Sequence, residues 1–110
     1  MTIEITQMSV GEYTYDVRRA GAGDDLVILL HGFPETSHMW MPLLEHLAAN
    51  GYTVLAPDLK GYSPGARPEG AEHYAHPVMA TDILAMADAL GKDRFHLVGH
   101  DHGAGLGWYM

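Results

Sequence analysis

Leu26-Val27-Ile28-Leu29-Leu30 is an unbroken apolar run, the pattern of a strand covered on both faces, since a strand with one face in water alternates apolar with polar residues. Upstream, Ile3 to Val10 and Tyr13 to Arg18 are rich in β-formers and flank Gly11, which predicts an antiparallel hairpin. Gly21 to Asp25 reads as a turn. Trp40, Leu43, Leu44, Leu47 and Ala48 recur at i, i+3, i+4, i+7 and i+8, predicting an amphipathic helix over 38–49 with Ser37 as its cap and Gly51 at its stop. Tyr52 to Ala56 is the next strand, followed by a Pro- and Gly-rich loop from Pro57 to about Ala75. A second helix is expected from Pro77 to Leu90, with Met79, Ile83, Met86 and Leu90 on one side and Gly91 at its end. Arg94 to Gly99 forms a further strand, and a helix begins after Asp101. The order β-β-β-α-β-α-β-α with short connections predicts an α/β fold: a hairpin, then parallel strands with helices on both faces.

Composition narrows the classes of function. The chain has 110 residues and 47% hydrophobic positions, enough for one domain with a modest core. Six Lys and Arg stand against 14 Asp and Glu, a net charge of −8 that disfavours nucleic acid and anionic membrane surfaces as partners. There is no cysteine, hence no disulfide frame and no thiolate metal site. The N-terminus shows no secretory pattern and no apolar run approaches the roughly 20 residues of a membrane span. A cytoplasmic protein acting on a small molecule is the expectation.

The candidate chemistry lies near the end of the chain. Phe95-His96-Leu97-Val98 runs into Gly99-His100-Asp101-His102-Gly103, which reads as strand, tight turn and helix start, the plan of a nucleophile elbow. A carboxylate lifted out of a sheet by such a turn can attack an electrophilic carbon and form an ester. The motif alone is weak, because 13 glycines produce Gly-x-x-x-Gly also at 61/65 and 103/107. Gly61-Tyr62-Ser63-Pro64-Gly65 matches the serine-hydrolase pattern in letters. It fails physically: the residue after the nucleophile must donate its N–H to the oxyanion, and Pro64 has none. A second loop, His31-Gly32-Phe33-Pro34, follows the first buried strand and would meet the elbow at the carboxyl ends of the parallel strands. Gly32 permits close backbone approach, and Pro34 leaves the Phe33 N–H free to point inward.

Three stretches, His31-Gly32-Phe33-Pro34-Glu35, Asp58-Leu59-Lys60-Gly61-Tyr62 and Gly99-His100-Asp101-His102-Gly103-Ala104, occur in order and at proper spacing. Together they resemble the α/β-hydrolase superfamily, and within it the epoxide hydrolases and the haloalkane or haloacid dehalogenases. The resemblance covers residues 1–110 as the N-terminal portion of that fold, through the elbow and short of the cap and the C-terminal half. It implies Asp101 as nucleophile, the Phe33 and His102 backbone N–H groups as oxyanion hole, and His31, Gly32, Pro34 and Trp40 at the substrate. It implies no metal and no cofactor. Members usually carry Trp after the nucleophile where this chain has His102. Fluoroacetate-type dehalogenases place arginines one and four residues beyond the nucleophile, where His102 and Gly105 stand. Epoxide hydrolysis to a diol is therefore the leading expectation, dehalogenation the alternative, and a non-catalytic binding module of the same fold a third.

In the superfamily the acid and the water-activating histidine follow the nucleophile. Here all eight histidines (31, 38, 46, 73, 76, 96, 100 and 102) precede Asp101 or sit beside it. A missing C-terminal half or a partner chain is expected to complete the site, and these 110 residues alone are expected not to turn over an epoxide.

Simpler readings stand beside these. Asp101 could serve as a helix cap, and His100 and His102 with His31 and His96 could suggest a metal site, although no ligand set of suitable spacing stands out. His31 reads as a residue that shapes its loop rather than a base. Asp58 would fix the turn at Lys60-Gly61-Tyr62 through its side chain. Met39, Met41, Met79 and Met86 read as core filler, and Trp40 lines the pocket or anchors its helix.

Overall fold

The computed structural model describes residues 3–110; Met1 and Thr2, with which the reading of the N-terminus begins, lie outside them. Strands β1 (Glu4–Val10) and β2 (Tyr13–Ala20) form the antiparallel hairpin. They continue into β3 (Leu26–Leu30), α1 (Met41–Ala49), β4 (Thr53–Pro57), α2 (His76–Ala89), β5 (His96–Gly99) and α3 (His102–Tyr109). The sheet order is β1-β2-β4-β3-β5, with β3 parallel to both β4 and β5 and β2 antiparallel to β4.

The apolar run of β3 serves two cores, because successive side chains point to opposite faces. Leu26, Ile28 and Leu30 pack with Ile83, Met86 and Leu106 on the face covered by α2 and α3. Val27 and Leu29 pack with Trp40, Leu44 and Ala48 on the face covered by α1. All five residues of β3 are buried, which is why its sequence shows no alternation.

Two local expectations need correction. Ser37 is not the helix cap: it lies inside a 3-10 turn (Ser37–Trp40) whose cap is Thr36, the hydroxyl of which accepts from the His38 N–H at 3.3 Å. The Asp58 carboxylate does not hold the turn after β4; its Oδ1 accepts from the Ser37 N–H at 2.7 Å and so tethers that 3-10 turn. The 60–62 turn is held by backbone bonds, Tyr62 N–H to Leu59 O at 2.8 Å and Gly61 N–H to Ala66 O at 2.8 Å. Beyond it the long loop is pinned to β2, with Thr14 bridging Gly65, and carries a further 3-10 turn (Ala71–Tyr74) before α2. Among the described residues no helix is long and apolar enough to cross a membrane.

Candidate active site

The elbow is built where β5 hands over to α3 across His100 and Asp101. His100 N–H continues the ladder to Leu30 O at 3.1 Å, and Gly105 N–H already donates to Asp101 O at 3.0 Å as the first helical bond. Asp101 in between has φ 56° and ψ −120°, the only positive φ at a non-glycine among the described residues. L-residues rarely adopt that conformation, and Asp tolerates it better than most. Its side chain makes no capping bond to α3, so the helix-cap reading does not hold. The carboxylate turns instead toward the loop after β3, where the Phe33 N–H donates to Oδ2 at 2.9 Å.

Gly32 makes this approach possible. A Cβ there would overlap the Asp101 Cβ and stand 2.7 Å from His100 O and 2.8 Å from Oδ2. The Phe33 and His102 backbone N–H groups hold the Asp101 carboxyl below its ordinary value, since donors aimed at a carboxylate favour its charged form. The side chain is 43% exposed. It opens into a cleft of about 760 Å³ walled by Phe33, Tyr62, Tyr74, Met79, His102 and Leu106, among others. The His102 ring stacks on Phe33 at 6.1 Å, with its Nε2 3.9 Å from Asp101 Oδ2.

The structure thus brings together Asp101, Gly32, Phe33 and His102, but not the other predicted substrate contacts. His31 is fully buried and cannot touch a ligand. Trp40 belongs to the core on the α1 face, whereas the cleft borders the opposite core through Leu59, Met79 and Leu106. Pro34 is exposed and outside the cleft wall, its bond to Phe33 cis. Tyr62, Tyr74 and His76 were not singled out as cleft residues by the sequence, because the Pro- and Gly-rich loop that brings most of them has no period to read. Burial, and then the charge of Asp101, push the Tyr62 phenol above its ordinary value. Lys60 also borders the cleft, but its ammonium lies 3.3 Å from the Asp82 carboxylate, which accepts as well from the Tyr15 hydroxyl. Among the described residues no group of three or more His, Asp or Glu could hold a metal ion.

Ser63, the serine of the decoy motif, is fully buried, donating to Asp58 O at 2.6 Å and accepting from the Asp16 N–H at 3.0 Å. It pins the loop to β2 and has no path to a substrate. Ser63→Ala is expected to lower unfolding stability by about 1–2 kcal/mol, the cost of losing buried hydrogen bonds, without altering the reactivity of Asp101. Urea titration, with the rate of covalent labelling at Asp101, measures both.

Comparison with known proteins extends the picture. A family model described as alpha/beta hydrolase fold matches residues 25–110. The chain is 42% identical over 106 residues to a fluoroacetate dehalogenase of Burkholderia sp, covering 94% of this chain and 34% of that protein. It is 37% identical over 108 residues to epoxide hydrolase 2 of Siraitia grosvenorii, covering 98% and 34%. A solved structure of a Vigna radiata epoxide hydrolase mutant superposes with a TM-score of 0.92 at 37% identity, covering 97% of this chain and 33% of that one. The chain spans about a third of the length of the curated relatives it matches.

Proposed function

Since the chain belongs to the α/β-hydrolase fold family, we propose that it carries the nucleophile and oxyanion hole of a hydrolase that opens epoxides through an alkyl ester on Asp101. The observation that carries this reading is the 2.9 Å bond from the Phe33 N–H to Asp101 Oδ2 at the mouth of the cleft. The Phe33 amide donates to the carboxylate, and the neighbouring His102 N–H also favours its charged form. With Oδ2 held, Oδ1 is the oxygen left to attack.

The reaction follows from that division of labour. Oδ1 bonds to a ring carbon of the epoxide, and the breaking C–O bond leaves its electron pair on the ring oxygen, which takes a proton. Oδ2 becomes the ester carbonyl. Water, deprotonated by a base, then adds to the ester carbon, and the negative charge develops on Oδ2, where the Phe33 amide already points; one such donor is worth about 3–4 kcal/mol. Collapse releases the diol with Oδ1 and leaves the water oxygen in the Asp101 carboxylate. In this fold family the base is a histidine that follows the nucleophile in chain order, after the carboxylate that orients it.

A neutral electrophile fits the cleft better than an anionic one. A haloacid needs a cation for its carboxylate, and the one lysine of the wall is already paired with Asp82 and 4% exposed. Dehalogenation stands as the second reading because of the 42% identity to a fluoroacetate dehalogenase. Intact-mass analysis after exposure to a terminal aryl epoxide, with peptide mapping, tests the proposal. A mass gain equal to the epoxide and localised to Asp101 supports it. Ester formation with a haloacid and halide release, but none with the epoxide, would favour the second reading; no adduct at Asp101 with either sinks both.

The depressed Asp101 value gives a pH expectation. The nucleophile is the deprotonated form, so reactivity is retained above the folded-state value and lost as pH falls through it. A carboxyl-carbon NMR titration of Asp101 is therefore expected to show its midpoint below the ordinary aspartate value of about 3.9. A midpoint at or above that value would mean the two amides do not hold the carboxylate in solution.

A further inference from the structure

We propose that His31 is a positioning residue for the oxyanion hole: it orients the peptide plane that carries the Phe33 N–H. The proposal rests on the alkyl-ester reading above and deepens it. Gly32 C=O and Phe33 N–H are the two ends of a single planar peptide unit. One end points at Asp101 Oδ2 at 2.9 Å. The other, Gly32 O, lies 3.0 Å from His31 Nδ1 and accepts from the Glu35 N–H at 2.8 Å. Rotating the plane to withdraw the Phe33 N–H from Asp101 would break both bonds at its carbonyl end.

The two ring nitrogens are assigned by their partners. A carbonyl oxygen only accepts, so Nδ1 carries the proton; the Leu59 N–H, 2.9 Å from Nε2, only donates, so Nε2 carries none. Both bonds call for the same neutral tautomer, and together they leave neither nitrogen free to act as a base. Nε2 also ties the loop after β3 to the chain after β4, next to Tyr62, whose ring meets the imidazole edge-on at 4.7 Å and borders the cleft. The ring is fully buried, and burial lowers its readiness to take a proton, outweighing the Gly32 carbonyl and the Asp58 and Glu35 carboxylates, which act in the opposite sense. A hydrogen bond at a peptide's carbonyl end polarises the unit and strengthens donation from its N–H end. His31 thereby acts on the nucleophile through one peptide bond without touching substrate.

Two substitutions separate the halves of this arrangement. The Asn amide nitrogen can occupy the place of Nδ1 and donate to Gly32 O, with nothing at Nε2. The Gln amide oxygen can reach the place of Nε2 and accept from Leu59, with no donor to Gly32 O. Adduct formation at Asp101 and the Asp101 titration midpoint are read in both variants, with melting temperature recorded alongside. His31→Asn is expected to stay within a few-fold of the parent rate and to keep the depressed midpoint. His31→Gln is expected to lose about tenfold or more in rate and to raise the midpoint. In the unsubstituted protein, long-range proton–nitrogen correlation is expected to show His31 protonated at Nδ1 alone.

A ring protonated at Nε2 overturns the proposal. So does Gln matching the parent, or Asn and Gln losing rate in parallel with melting temperature, which would mark a merely structural residue. If the parent forms no adduct, the alkyl-ester reading fails, and the Asp101 midpoints in the two variants still decide the role of His31.

Discussion

Asp101→Asn is expected to abolish ester formation on this chain while leaving it folded. The amide is nearly the size of the carboxylate, and Asn is among the few residues that accept a positive φ readily, so the 56° backbone at this position is retained. Its carbonyl oxygen can still accept from the Phe33 N–H, as Oδ2 does at 2.9 Å. What disappears is the charge, and with it the nucleophile. Loss of a nucleophile from an assembled hydrolase site costs about 10⁶-fold in rate, which puts the labelling rate below detection. Mass spectrometry of the protein after epoxide exposure, with a melting curve, is the measurement. The contrast with Ser63→Ala is diagnostic: Ser63 is spent on Asp58 O and the Asp16 N–H, so its loss is expected to reach the melting curve and not the adduct. An adduct that survives Asp101→Asn, or vanishes with Ser63→Ala at unchanged stability, would remove the carboxylate from the centre of the reaction.

The parts legible from residues alone were those whose physics is local. The unbroken apolar run of β3 between turn signals reads as a strand covered twice, and the spacing of Ile83, Met86 and Leu90 places them on one helix face. The elbow was readable because a glycine on each side of Asp101 answers a crowding that the backbone itself creates. Matters of choice between near-equivalent neighbours were not readable. Thr36 and Ser37 are both good caps, and the choice falls to Thr36 because the Ser37 hydroxyl accepts from Arg18 Nε at 3.1 Å while its N–H is claimed by Asp58, both distant in sequence. The helical period gives Trp40 an inward face without saying which side of the sheet that face meets; it meets the side away from the cleft. β5 starts at His96 rather than Arg94, because its ladder with β3 begins where Val27 pairs with His96. The cleft wall was the least legible part, since Tyr62 and Tyr74 come from a loop whose path is fixed by its pins to β2 and not by any periodicity of its own.

The glycines of α3 give the sharpest test of the elbow's geometry. Helix propensity treats Gly103, Gly105 and Gly107 alike: in a helix, replacing glycine with alanine gains about 1 kcal/mol. The surroundings separate them. A Cβ on Gly103 would overlap the carbonyl oxygen of Leu30 and stand 2.5 Å from its carbon and 2.6 Å from His31 O, all backbone atoms of β3 and the loop leaving it. A Cβ on Gly105 would meet only the His76 ring, at 3.8 Å and 3.9 Å. Gly103→Ala must push α3 off β3, and Gly99 leaves no slack on the other side, because a Cβ there would already stand 2.5 Å from Gly103 O. Overpacking costs typically about 1–3 kcal/mol and occasionally more, and a clash with backbone sits at the upper end, so Gly103→Ala is expected to lose about 3 kcal/mol in urea titration and to lose adduct formation as Asp101 is carried away from the Phe33 N–H. Gly105→Ala, two positions along the same helix, is expected to hold or raise stability by up to about 1 kcal/mol. Equal effects from the two substitutions would mean that α3 does not cross β3 at this separation, and the close meeting of Gly32 with Asp101, which depends on the same crossing, would fall with it.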